Sequence, residues 1–133
     1  MTDEMIALGR RAVACKGWQR MGGMLLAEGA WRARVGEPWN WRAGAEILPV
    51  LDDPATLGCL LALVREAWRC PTVYVRQSTT RRVSDGVIAW EVCDLYLDAE
   101  ACRALGVPRG GSVGSWGHGS EAEALVAALE SAP

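Results

Sequence analysis

The sequence predicts an α+β fold: a largely antiparallel sheet packed between helices, in the order α-β-β-α-β-β-(α)-β-α. Three observations carry this. Three segments have a capping residue followed by apolar positions at helical spacing. Between them lie runs of strand length and strand composition. Those strands come as neighbours joined by short turn-rich links, so hairpins dominate and the pairing is antiparallel. At 133 residues the chain makes one domain, of a size that buries about two-thirds of its unfolded surface.

The first helix is expected from Thr2 to Lys16. Thr2 caps it, Asp3 and Glu4 suit the positive end of its dipole, and Met5, Leu8, Ala12 and Cys15 share a face. Gly17 stops it. A hairpin follows, Met24–Ala27 and Ala30–Val35 around a Glu28-Gly29 turn, with Trp31, Ala33 and Val35 on one face and Arg32 and Arg34 on the other. Residues 36–46 read as a loop punctuated by Gly, Pro and Asn. A helix from Pro54 to Trp68 starts with Asp53 as N-cap and Pro54 at N1, and carries a stripe of Leu57, Leu60, Leu61, Val64 and Trp68. Pro71 prevents its continuation.

Strands at Thr72–Thr79 and Val87–Leu97 flank a loop from Thr80 to Gly86. The second is apolar on both sides, as a central strand covered on both faces would be. A short helix at Asp98–Leu105 and a short strand at Ser112–Trp116 come next. The last helix opens at Ser120, where Ser120 and Glu123 form a capping-box pattern. Ala122, Leu125, Val126 and Leu129 face inward, and Glu123 and Glu130 face water. Residues 1–46 thus form an N-terminal helix and hairpin, and 47–133 a helix-sheet-helix core of the same domain.

Fourteen basic and sixteen acidic residues give a net charge of −2. Residues 51–133 hold seven arginines against eleven acids. This balance weighs against a nucleic-acid-binding module. No apolar run reaches membrane-spanning length, and the acidic MTDEM start is unlike an export signal. Five cysteines, an odd number without a CxxC pair, suit a reducing cytoplasm and neither a disulfide framework nor a metal site. No cofactor motif is present: the glycine-rich stretch at 110–119 lacks both the Walker pattern and the third glycine of a dinucleotide fingerprint.

The stretch LDDPATLGCLLALVREAW, the strand Trp90-Glu91-Val92 and the ending GHGSEAEALVAALESAP resemble small tailed-phage proteins and, more loosely, the phage ABA sandwich domain family. The resemblance spans residues 47–133. It implies a bacteriophage origin, a helix-sheet-helix fold and the host bacterial cytoplasm as the place of action. It implies no activity and no site residues.

Candidate contacts come from the residues themselves. The chain has seven tryptophans and no phenylalanine, and all but one of its basic residues are arginine. Arg32 and Arg34 line a strand face, Trp39, Trp41 and Arg42 follow in a loop, and Arg81 and Arg82 sit between the later strands. Trp and Arg together suit a protein hot spot, or stacking and bidentate contact with an anionic nucleotide. The plainer alternative is that the rings are core and the arginines snorkel to water. His118 joins this set as the one group titrating near neutrality. As a general base it needs an oriented partner and a nucleophile, and no G-x-S-x-G elbow supplies one. The Asp52-Asp53 pair is accounted for by capping, and Asp94, Asp98 and Glu100 by a solvated edge. The expectation is therefore a non-enzymatic phage accessory protein. It would bind a host bacterial protein, for example to inhibit an antiviral defence, or sequester a small nucleotide. Its sheet edges leave room for a homo-oligomer.

Overall fold

A computed structural model describes residues 1–84, 86–93 and 118–133, without the side chains of residues 79–82 and 84. Among the described residues the architecture is α+β, with two antiparallel sheets, of three and two strands, packed against three helices. The expected helix at Asp98–Leu105 and strand at Ser112–Trp116 lie outside the described residues, as does the segment of the second strand beyond Cys93. No helix of the described residues is long and apolar enough to cross a membrane.

Helix α1 (Asp3–Ala14) begins where the cap predicts: the Thr2 hydroxyl accepts from the Met5 N–H at 3.2 Å. It ends slightly before Lys16, at Cys15. Gly17 then passes so close to the core that a Cβ there would lie 3.1 Å from a Leu129 methyl and 3.3 Å from the Ala67 Cβ.

Strands β1 (Leu25–Glu28) and β2 (Trp31–Arg34) form the first hairpin, in the register Leu25↔Arg34 to Glu28↔Trp31. The turn residues are Gly29 and Ala30, one position later than expected. Gly29 alone has positive φ, at 59°, as the first central position of a type II′ turn requires. A two-residue strand β3 (Leu48–Pro49), which the sequence did not announce, pairs with β1 on its other edge and gives the order β2-β1-β3. Proline is tolerated there because the strand lies at the sheet edge.

Helix α2 (Pro54–Ala67) starts at its predicted cap, and Leu60, Leu63 and Val64 are fully buried. Trp68 closes it from the interior, its indole N–H donating to the Ala128 carbonyl at 2.8 Å. Strand β4 (Tyr74–Ser84) is longer than expected. The segment read as a loop from Thr80 onward continues the strand to Ser84, with register shifts between Gln77 and Arg82 and between Arg82 and Ser84. Bulges of this kind absorb turn-forming residues without ending the pairing. Strand β5 (Val87–Cys93) pairs with β4, and at Trp90 it also exchanges two backbone hydrogen bonds with His118, of 2.8 and 3.1 Å. Glu91, Val92 and Cys93 are all buried, as a strand covered on both faces requires, whereas Val87 and Ile88 are exposed at its start.

Helix α3 (Glu121–Glu130) is the hub. It packs on α2, α1, β5 and β4. The sequence predicts a one-sided apolar stripe, but every residue from Ala124 to Leu129 is buried. The alanines at 124, 127 and 128 let neighbours approach on the side that periodicity assigns to solvent. Its cap is as predicted at Ser120, whose Oγ accepts from the Glu123 N–H; the Glu123 carboxylate reaches back to the Gly119 N–H, one residue earlier than a regular capping box.

Candidate binding face on the first hairpin

Alternation along β1 and β2 divides the predicted contact residues. Glu28 and Trp31 are opposite one another and project to the same side as Leu26 and Ala33. Arg32 and Arg34 project to the other, with Leu25 and Ala27. The structure therefore does not bring the β2 arginines to the tryptophans.

The loop at 36–46 folds back onto the Glu28 end of the hairpin. The Glu28 carboxylate is buried, with 6% of its side chain accessible, and both its oxygens accept from Arg42. The backbone N–H of Arg42 reaches Oε2 at 3.1 Å, and its Nε–H reaches Oε1. These contacts, the side-chain one first, hold the Glu28 carboxyl below its ordinary pKa, so the floor of the site carries an ionised acid. The rest of the Arg42 side chain stands in water, 79% exposed.

Around this pair stand three indoles. Trp31 and Trp39 have ring centroids 6.1 Å apart at 39°, and Trp39 and Trp41 5.8 Å apart at 59°. Both are tilted contacts in the favoured range for aromatic pairs. Trp41 packs against the main core and anchors the row. Trp31 is 66% exposed and Trp39 40%. Glu28, Trp31, Trp39, Asn40 and Arg42 line an open cleft of about 220 Å³.

The other predicted residues have separate places. Arg34 donates to both carboxylate oxygens of Asp53, at 3.0 and 2.9 Å, and to the Gly23 carbonyl. With help from Thr56, this guanidinium holds the Asp53 carboxyl well below the usual carboxylate range. Arg34 thus ties β2 to the N-terminus of α2, and its fork is occupied by an acid. Arg32 is exposed on the same face as Arg34. His118 belongs to the β5 bridge, with Nδ1 3.8 Å from Glu123 Oε1 and 13% of its side chain accessible. The side chains of Arg81 and Arg82 lie outside the description. A second, larger groove of about 610 Å³ runs past Cys15, Lys16, Trp18 and the bidentate Arg11–Glu130 pair. Among the described residues no cluster of His, Cys, Asp or Glu is placed to hold a metal ion.

Two members of the face, Glu28 and Trp31, were not among the residues singled out from sequence. The sequence pattern places Glu28 in the hairpin turn and Trp31 on a strand face with Ala33 and Val35. The available signal was their location: residues flanking a hairpin turn project past the end of the core. No protein-family model, curated protein or solved structure matches this chain.

Proposed function

We propose that this chain is a non-catalytic binding protein whose recognition surface is the Trp31–Trp39–Trp41 face with the Glu28–Arg42 pair. The observation that carries the reading is the exposure of two indoles held in contact over a loop clamped to the sheet. A row of this kind supplies a large, rigid, amphipathic contact at small entropic cost, as protein hot spots do. On the phage resemblance, the partner is a host bacterial protein and the action is inhibition of a defence component in the host cytoplasm.

Sequestration of an anionic nucleotide is less well supported. Arg34 and Arg42 each already serve a carboxylate, and a phosphate entering the cleft would meet the charge of Glu28. The test is capture from bacterial lysate on immobilised protein, beside a folded W31A/W39A variant. The expected result is one host protein retained in stoichiometric amount by the parent and lost by the variant. Equal retention by both overturns the reading.

A further inference from the structure

The charge of the cleft narrows the chemistry of its occupant, and this step rests on the binding reading above. An indole face is the negative pole of a ring quadrupole and attracts cations. Two such rings line the cleft. Lining the same cleft is a carboxylate more than nine-tenths buried and held ionised. Both features favour a cation and oppose an anion. The cleft already contains a positive group of this class, the guanidinium of Arg42.

The Arg42 side chain is the exchangeable part of that arrangement. It is 79% exposed and arrives on a loop, and it meets Glu28 through Nε. The Arg42 backbone N–H makes a separate contact with Oε2. If the side chain swings into water, that backbone contact still satisfies one carboxylate oxygen and still clamps the loop. Oε1 alone is released, and an entering donor can take it. Removal of the side chain therefore costs the cleft one hydrogen bond and one lining group, while the loop stays tied to Glu28 through the Arg42 N–H.

We infer that the cleft seats a basic side chain of the protein partner, an arginine or an alkylated or free lysine, which stacks on Trp31 and Trp39 and takes Glu28 Oε1 from Arg42. Arg42 acts as a resident cation that keeps the buried acid compensated until the partner arrives.

The test follows the indole N–H signals by NMR while two peptides are titrated: acetyl-Gly-Arg-Gly-amide, and acetyl-Gly-Glu-Gly-amide as the opposite charge. The parent is expected to show saturable shifts of the Trp31 and Trp39 signals with the arginine peptide only. R42Q is expected to bind it about tenfold more tightly, because the competing cation is gone. E28Q in the R42Q background is expected to lose that gain. R42Q with W39A serves as a second loss-of-binding variant should the E28Q change disturb folding. Unchanged or weaker binding by R42Q, or preference for the glutamate peptide, overturns the inference. The two claims separate cleanly. Capture of a host protein that depends on Trp31 and Trp39 without any arginine-peptide binding removes the cationic occupant and leaves the binding face standing. Arginine-peptide binding with no tryptophan-dependent capture removes the protein-partner reading.

Discussion

Substitution of Asp53 by alanine tests how the hairpin is joined to helix α2. In the native chain Oδ2 of Asp53 accepts from both the N–H and the hydroxyl of Thr56, each at 2.9 Å. Thr56 is wholly buried, and its hydroxyl oxygen in turn accepts from the Leu25 N–H at 2.8 Å. D53A removes an N-cap, at about 1 kcal/mol, and leaves a buried hydroxyl without its acceptor, at about 1–3 kcal/mol. The sum is about 2–4 kcal/mol. The bidentate pair with Arg34, which holds the Asp53 carboxyl low, adds about 1 kcal/mol more, discounted because the Arg34 side chain is partly solvated and keeps its bond to the Gly23 carbonyl. D53N separates the two contributions. Its amide oxygen can take the place of Oδ2 and keep both Thr56 contacts, while the bond from Arg34 Nη2 to Oδ1 is lost. D53N is therefore expected to cost about 1 kcal/mol, the share of the ion pair alone, asparagine being as good a cap as aspartate. Urea unfolding followed by tryptophan fluorescence measures both. If D53N is as damaging as D53A, the ion pair and not the cap network joins these elements, and the reasoning fails.

Acid should unfold the protein through its arginine-paired carboxyls. Glu28, Glu46, Asp53 and Glu130 are all held below their ordinary pKa, in each case chiefly by an arginine side chain. Groups with depressed folded values stabilise fully above the unfolded value, near 4, and lose that contribution as pH falls toward the folded value. The urea midpoint is expected to drop progressively below about pH 4.5, and less steeply for D53N; parallel curves would remove Asp53 from the account. Trp31→Ala should change stability by no more than about 0.5 kcal/mol, since the ring is mostly exposed. Trp68→Ala should cost about 3–5 kcal/mol through a buried cavity and the orphaned Ala128 carbonyl. Gly29→Ala should cost about 1 kcal/mol, read from the same midpoints, because alanine resists a φ of 59°.

What the sequence disclosed was local. A cap lies within three residues of its partner, so Thr2, Asp53 and Ser120 each mark a helix start correctly. Loop 36–46 was legible from its punctuation. What stayed hidden was set by contacts far along the chain. Glu28 and Arg42 are fourteen residues apart, and Arg34 and Asp53 nineteen. Nothing in local pattern distinguishes an arginine spent on a distant acid from one left for a ligand. The same limit explains α3, where periodicity sees one apolar stripe and the packing of α1, α2 and the second sheet buries nearly the whole circumference. It also explains β4, whose turn-forming residues are overruled by pairing with β5.

The division of labour among the tryptophans bears on the binding reading most directly. Trp68 is used by the fold: its ring is buried and its N–H is satisfied. Trp41 is half-used, packing on the core while touching Trp39. Trp31 and Trp39 extend the row outward and keep 66% and 40% of their surface in water. Free energy from burying those two faces is therefore still available to an encounter, and the rigid support beneath them lowers the entropic cost of using it. The Glu28 clamp matters for the same reason. A tryptophan on a loose loop would have to be ordered on binding, whereas here the loop is tied to the sheet by the contact from the Arg42 backbone N–H to Glu28.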